Sequence, residues 1–407
     1  MNTNPKHRSL IEFTIMLAFM ISIVAMSTDV MLPALSYIAM DLGLENANDS
    51  HFTVSSLFLG FAFGQMFVGP LSDSFGRKPI VYISYLIFII GCMLAIFATS
   101  FTTLLIGRVL QGLGAAGPRI ICTAIVRDGF EGRAMARIMS FIMAVFIVVP
   151  AIAPAIGQGV IYLSGWRATF ALLLVMAVIS FLWFGLRQPE TLPKSARRKF
   201  SLGNIWAGIV EITKIRAALG YAITTGFIFG PFLGYLGSAQ AIFQETYGAR
   251  QYFALYFGIA ALAIGSASLL NSALVMRLGM QYLTVCAIVC GSFISITFLA
   301  VVLSMSGIPP LWTFMMWLIP TFFCLGILFG NLNALAMEPL GNMAGLGSAF
   351  IGATSTFISL PIGWMICDQF SGGVTPLVLG FAIFNVVALM MMNWSCNRPI
   401  LSFKIAH

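Results

Sequence analysis

The sequence carries very little charge for its length. Only 8% of its 407 residues are Asp, Glu, Lys or Arg, while 59% are hydrophobic. A soluble protein has about 25% charged residues, so this composition cannot cover a water-facing surface. Soluble globular proteins are therefore excluded, and most of the outer surface must face lipid. No basic block is interleaved with aromatic residues, so no nucleic-acid partner is expected.

The sequence also has few of the residues and motifs that enzymes use. Its three histidines, His7, His51 and His407, lie at the termini or in a predicted outer loop, too far apart for a metal or acid–base site. The seven cysteines form no C-x-x-C pair, and no Walker A motif indicates ATP. The G-x-G-x-x-G match at 112–117 lies inside an apolar segment, where small residues favour close helix packing over dinucleotide binding. We expect no enzyme, no metal and no cofactor.

Long hydrophobic runs, by contrast, recur along the whole chain. Twelve of them are long enough to cross a bilayer as a helix, which takes about 20 residues. An even number places both termini on one side of the membrane. The predicted spans are 10–38, 52–71, 80–98, 102–126, 135–162, 167–186, 217–244, 252–276, 282–304, 311–336, 343–367 and 374–396.

Lysine and arginine are distributed unequally between the loops. If both termini are cytoplasmic, 17 of the 21 basic residues fall in cytoplasmic segments, and only Arg167 and Arg250 fall outside. The remaining two, Arg108 and Arg119, lie within a span. Cytoplasmic loops of membrane proteins carry an excess of basic residues, so this distribution predicts that both termini are cytoplasmic.

The longest polar interval, 187–216, divides the chain in the middle. It separates an N-terminal six-helix unit, 1–186, from a C-terminal one, 217–407. Apolar residues at helical spacing between Ile205 and Ile212 predict an amphipathic helix on the inner membrane surface. Two six-helix units match the repeat architecture of secondary transporters.

Three ionisable residues lie well inside the predicted spans, and each is a functional candidate because burying it costs free energy. Asp29 is the one acid among them, in span one. Arg108 and Arg119 share one face of span four, about 16 Å apart along the helix, and Gln111 lies one turn from Arg108. Such a face must line a polar cavity or meet an acidic partner.

Two interpretations of Asp29 and Arg108 remain open from the sequence. They could form a structural ion pair between spans one and four. Alternatively they could form a proton-linked switch, in which the carboxyl of Asp29 gains and loses a proton as the conformation changes. Arg119 could line the cavity or only lie near its cytoplasmic mouth.

Two further spans contain residues that suit motion or binding. In span five, Pro150, Pro154 and Gly157 permit bending and close approach, which favours a rocking interface over a plain kink. In span seven, Tyr235 and Gln240 follow glycines at four-residue spacing. These two polar side chains could line the cavity or belong to its outer mouth.

Several of these stretches together resemble a known family. The stretch 69–78, GPLSDSFGRK, resembles the loop between spans two and three of the major facilitator superfamily. The stretch 105–114, LIGRVLQGLG, resembles its span-four proton-transfer motif, and 150–157 resembles its span-five antiporter motif. The span-one pattern at 29–34, with Arg-Asp at 127–128, is most similar to the Bcr/CflA branch of bacterial drug–proton antiporters.

The resemblance implies an all-α membrane protein with twelve transmembrane helices in two six-helix bundles, the major facilitator fold. It implies a monomeric exporter of small amphipathic compounds in the bacterial inner membrane, driven by the proton motive force. Asp29 and Arg108 would couple protons, and the substrate cavity would comprise Asp29, Arg108, Gln111, Arg119, Tyr235 and Gln240. The conformational gate would comprise Gly69, Asp73, Gly76, Arg77, Lys78, Pro150, Pro154 and Gly157. Asp73 would lie near the N-terminus of another helix and latch the bundles.

Other functions are weighed against this one. A dedicated transporter of one metabolite, such as a siderophore, sugar or amino-acid derivative, would have the same architecture, and two arginines on one face would suit an anionic ligand. An intramembrane enzyme is disfavoured because no His, Cys and Asp cluster lies within the spans. A channel is disfavoured because no ring of like charges is evident.

Overall fold

The computed structural model of the protein describes residues 10–197 and 200–396. All regular elements in this part of the chain are helices, and twelve spans are long and apolar enough to cross a membrane. Their ends agree with the predicted spans to within a few residues. The protein is therefore an all-α, multi-pass membrane protein, as the sequence predicts. Arg198 and Lys199 of the predicted linker, and the basic residues and histidines near the two termini, lie outside the described residues.

Six spans precede the amphipathic segment and six follow it. Helices α1 and α2 together form the first span, and helix α8 occupies the interval in which the sequence predicts an amphipathic helix. The helices are α1 Leu10–Asp29, α2 Leu35–Asp41, α3 Phe52–Phe75, α4 Arg77–Ile96, α5 Phe101–Gly129, α6 Gly132–Ser164, α7 Arg167–Arg187, α8 Leu202–Lys214, α9 Arg216–Ala241, α10 Phe253–Leu278, α11 Met280–Ser304, α12 Leu311–Met337, α13 Ala344–Asp368 and α14 Thr375–Ser395.

The first span is interrupted just after Asp29. Its α-helix ends there, a short 3-10 turn covers Leu32–Ala34, and α2 begins at Leu35. Pro33 has no backbone N–H to continue the α-helical bonding pattern, which explains the interruption at this position. As a result Asp29 lies in the last turn of a helix, in the middle of a membrane span.

Small residues set the packing of the N-terminal half around α5. A Cβ placed on Gly112 would lie 1.9 Å from the carbonyl oxygen of Leu57 on α3. A Cβ on Gly117 would lie 2.1 Å from the hydroxyl of Ser84 on α4. The glycine pattern at 112–117 therefore lets α5 approach both neighbours closely, as its position inside an apolar span predicts.

The two ends of the molecule differ in charge. We call the end at which α3 meets α4 the basic end, because Arg77, Arg127 and Arg187 lie there at helix termini. The end that holds the turn between α2 and α3 is called the opposite end. An excess of basic residues at one end is typical of proteins that span a membrane.

The two halves of the protein touch at the opposite end through polar contacts. Gln240 on α9 donates to the hydroxyl of Ser36 on α2 at 3.0 Å. Asn48 donates to the carbonyl of Phe370 at 2.7 Å, and Gln158 donates to the carbonyl of Arg250 at 3.1 Å. These bonds join the N-terminal half to the C-terminal half and close this end.

Candidate functional site

A cavity of about 350 Å³ lies at the centre of the molecule, between the two halves. Its wall is mostly aromatic, and eight phenylalanines come from both halves of the chain. Cavities of this size and character bind small organic ligands. The phenylalanines are Phe58, Phe61, Phe146, Phe229, Phe232, Phe257, Phe322 and Phe329.

Asp29 lies in the wall of this cavity, in the last turn of α1. Its side chain is buried, with 5% of the residue surface exposed. No ion pair or hydrogen bond of its carboxyl is found within the described ranges 10–197 and 200–396. Asp29 is thus an acid with no fixed partner, in contact with a space that a ligand or a proton can enter.

Arg119 is the second charged side chain of the wall. Its guanidinium lies over the ring of Phe146, with 4.3 Å between the guanidinium carbon and the ring centroid. One terminal nitrogen, Nη1, is buried without a hydrogen-bond partner in the described structure. The structure places Arg119 in the cavity wall, on the side that opens toward the basic end.

Arg108 and Gln111 lie behind the wall and do not line the cavity. Arg108 is fully buried and donates to the backbone carbonyls of Thr53 on α3, at 2.9 Å, and Ser27 on α1, at 3.0 Å. It also donates to the side-chain oxygen of Gln111 at 2.7 Å. No ion pair joins Arg108 to Asp29 in the described structure, so the structural ion pair that the sequence left open is not formed. Arg108 instead donates to the backbone carbonyl of Ser27, two residues before Asp29.

Tyr235 and Gln240 are also outside the cavity wall. The ring of Tyr235 stacks behind Phe257 and packs edge-on against Phe322, with centroid distances of 5.7 and 4.8 Å, and both phenylalanines line the cavity. Its buried hydroxyl has no partner in the described structure. Gln240 belongs to the contact that closes the opposite end.

A wider vestibule of about 610 Å³ leads from the cavity to the basic end. It shares five lining residues with the cavity: Phe58, Phe61, Arg119, Phe229 and Phe329. The rings of Phe58 on α3 and Phe229 on α9 meet edge-on with centroids 5.6 Å apart. This aromatic pair, one ring from each half, partitions the cavity from the vestibule.

The predicted gate loop forms an ionic cluster at the basic end. Arg77 is buried and donates to Asp73 at 2.5 Å, to the hydroxyl of Ser72 at 2.7 Å and to Asp128 of α5 at 3.1 Å. The carboxylate of Asp73 also lies 3.9 Å from the position of a Cβ on Gly345, in the first turn of α13. It therefore faces a helix N-terminus of the other half, where a negative charge is favoured.

The linker contributes a carboxylate that the sequence did not single out. Glu190 accepts hydrogen bonds from the backbone N–H groups of Arg77, at 2.9 Å, and Lys78, at 3.1 Å, which begin α4. Arg197 lies 3.8 Å from the same carboxylate. Gly76 turns the chain here with a φ of +106°, and a Cβ on it would lie 2.5 Å from Glu190. The turn therefore needs glycine both for its backbone and for its contact with the linker.

The three residues predicted in span five all lie on α6, which touches both the cavity and α1. Pro150 lines the cavity, and Pro154 lies one turn further along the helix. A Cβ on Gly157 would lie 1.9 Å from the carbonyl oxygen of Val30, next to Asp29. On its other side α6 packs against α10, where a Cβ on Gly258 would lie 2.9 Å from the carbonyl of Ala151.

Comparison with known proteins agrees with this architecture. The sequence profile described as "Major Facilitator Superfamily" matches residues 17–364. This chain belongs to that superfamily. This chain is 30% identical over 353 residues to the uncharacterized MFS-type transporter YdgK of Bacillus subtilis, and the match covers 86% of this chain and 87% of the relative. As a member of the superfamily, this chain is a transporter and not an enzyme, and its substrates are small molecules.

A second relative confirms the branch that the sequence predicts. The superfamily member is 25% identical over 416 residues to a bicyclomycin resistance protein homolog of Haemophilus influenzae, covering 98% of this chain and 99% of the relative. Among solved structures, a D-xylose-proton symporter superposes with a TM-score of 0.75 over 94% of this chain and 97% of its own. At 14% identity that likeness shows the shared fold alone.

Proposed function

We propose that this transporter is a proton-coupled exporter, a drug–proton antiporter that moves small amphipathic compounds out of the cytoplasm by alternating access. The observation that carries the proposal is the carboxyl of Asp29, which lines a buried aromatic cavity without a fixed partner in the described structure. An ionisable group at membrane depth is costly and is typical of ion and substrate pathways. The Haemophilus influenzae relative, named a bicyclomycin resistance protein homolog, supports a drug as the transported compound.

The orientation follows from the distribution of basic residues. The basic end faces the cytoplasm of a bacterial cell, both termini are cytoplasmic, and the protein works as a monomer in the inner membrane. The proton motive force drives transport without a cofactor. In this orientation the structure is inward-facing, because the vestibule leads to the cytoplasm and polar contacts close the outer end.

The cavity then performs the exchange in four steps. A compound enters from the vestibule, passes the Phe58–Phe229 pair and loses water as its apolar part meets the phenylalanines. The carboxylate of Asp29 attracts the cationic part of the compound. The halves rock and open the cavity outward, where a proton binds Asp29, removes its charge and releases the compound. The protonated carrier returns, and Asp29 gives its proton to the cytoplasm.

Arg108 is a positioning residue in this cycle. Its bonds to the carbonyls of Ser27 and Thr53 tie the end of α1 to α5 and α3. Asp29 thus lies two residues from the point where these bonds join three helices, so a change in its charge alters the electrostatic environment of that junction. The ionic cluster of Arg77, Asp73 and Asp128 is the gate, since it holds α3, α4 and α5 against the first turn of α13 and is well separated from the cavity.

Drug efflux from whole cells tests the proposal. We expect expression of the transporter to raise resistance to several structurally unrelated antimicrobials and to lower the accumulation of a fluorescent aromatic drug. We expect a protonophore to abolish both effects while ATP is held constant. Efflux that persists without a proton gradient would contradict proton coupling. Resistance to a single chemical class would favour a dedicated transporter of one compound.

A further inference from the structure

The cavity contains an arginine that the proposed transport cycle does not use. Arg119 and Asp29 are the two charged side chains that line the cavity in the described part of the chain, and no ion pair joins them. Nη1 of Arg119 is buried without a partner, and the guanidinium rests on Phe146. The charge of Arg119 is therefore held in place by an aromatic ring and left unneutralised.

Arg119 is partly exposed to the cavity, but its Nη1 atom is buried with an unused N–H, which has a definite chemical requirement. Leaving a buried donor without a partner costs free energy, and the cost is greatest for a charged group. The planar fork of arginine matches a carboxylate, which can accept two parallel hydrogen bonds. The lining residues of the cavity offer no second acid besides Asp29, so a compound bound in the cavity is well placed to supply the missing acceptor.

We propose that Arg119 is the docking group for a carboxylate on the transported compound, so that the preferred substrate is an aromatic zwitterion. Its carboxylate binds Arg119, its ammonium group faces Asp29, and its ring packs against the phenylalanines of the cavity wall. This inference rests on the proposed exporter function and narrows its substrate class. The cavity, at about 350 Å³, is large enough for a bicyclic aromatic amino acid.

Three probes that share one ring system separate the two charges. The probes are 3-(2-naphthyl)alanine, a zwitterion, its methyl ester, which keeps only the ammonium group, and its N-acetyl derivative, which keeps only the carboxylate. Binding of each probe to the purified full-length protein in detergent is measured by equilibrium dialysis at neutral pH without a gradient. Protein-free micelles supply the blank for partitioning into detergent.

For the wild-type protein, we expect the zwitterion to bind more tightly than either single-charge derivative. We expect Arg119→Gln to weaken the zwitterion and the N-acetyl probe by about tenfold or more, the range for a lost charge-assisted hydrogen bond, and to leave the methyl ester within a factor of about two. Arg119→Lys keeps the charge without the planar fork and should give the same pattern with a smaller loss. If Arg119→Gln does not fold, the affinities of Arg119→Lys for the three probes test the proposal instead.

Arg277→Gln, at the exposed end of α10, is the matched control and should change none of the three affinities. Equal losses for the ester and the zwitterion on substitution of Arg119 would overturn the inference, and so would the absence of zwitterion binding to the wild-type protein. Binding without a gradient does not depend on proton coupling. A failure of the exporter proposal would leave the probe pattern intact, while a failure of this inference would remove the pattern from a protein that still pumps.

Discussion

Replacing Gly157 by alanine should break the contact that holds α6 against the end of α1. The Cβ of an alanine there would lie 1.9 Å from the carbonyl oxygen of Val30, whereas ordinary van der Waals contact begins near 3.4 Å. The difference between these two distances, about 1.5 Å, has to be made up by moving backbone, because the clashing atom is a main-chain oxygen and not the end of a flexible side chain. Val30 is the neighbour of Asp29, so the displacement falls beside the candidate proton site.

The expected loss of stability follows from two opposing effects. Overpacking a close contact costs about 1–3 kcal/mol. Replacing glycine by alanine inside a helix by itself stabilises the folded protein by about 0.5–1 kcal/mol. The two ranges leave a net cost of about 0–2.5 kcal/mol. Because the overlap is with backbone, we expect Gly157→Ala to destabilise the protein by about 1–2 kcal/mol, and also to slow transport because α1 no longer presents Asp29 in the same position.

Gly159→Ala is the matched control, since it lies two residues further along α6 and a Cβ there meets nothing within 4 Å. The apparent Tm of the purified proteins in detergent, measured at one scan rate, should fall for Gly157→Ala and rise slightly or stay constant for Gly159→Ala. Equal apparent Tm values for the two variants would refute the claim that the Gly157 contact is tight.

Two further predictions concern the basic end. Asp73→Asn should slow turnover while leaving substrate binding nearly intact. The reason is that its carboxylate faces Arg77 and the first turn of α13 and lies away from the cavity. A large loss of binding in an equilibrium assay would contradict this. Glu190→Ala should cost about 0.5–2 kcal/mol, the range for a lost helix cap, because two backbone N–H groups of α4 lose their acceptor. Its apparent Tm should therefore fall, and Glu211→Ala on α8 is the comparison; the same Tm for both variants would argue against the cap.

The number and position of the membrane spans could be predicted from the sequence because apolar length and the absence of charge determine them directly. The twelve spans, the interruption at Pro33 and the close packing at the glycines of 112–117 each depend on a local property of the chain. The ion pair between Asp73 and Arg77 was also within reach, since their opposite charges lie four residues apart at a tight turn and require partners there.

The cavity wall could not be predicted in the same way. The sequence contains 36 phenylalanines, and which eight converge depends on how the two halves pack. Arg108 and Gln111 share a helix with Arg119, yet the backbone carbonyls of Thr53 and Ser27 draw Arg108 away from the cavity. Glu190 lies in a charged linker, where nothing in its spacing distinguishes a helix cap from a solvated acid. Its role depends on a turn more than 100 residues earlier in the chain.

The central claim is that Asp29 carries the exchanged proton. The most direct measurement reconstitutes the purified protein in liposomes that enclose a pH-sensitive dye and records the proton flux caused by adding a transported aromatic drug. The account predicts that the wild-type protein and the control Asp368→Asn, an exposed acid at the end of α13, release protons in proportion to drug uptake. It predicts that Asp29→Asn binds the drug weakly and moves no protons. Drug-dependent proton flux through Asp29→Asn at the wild-type rate would contradict it.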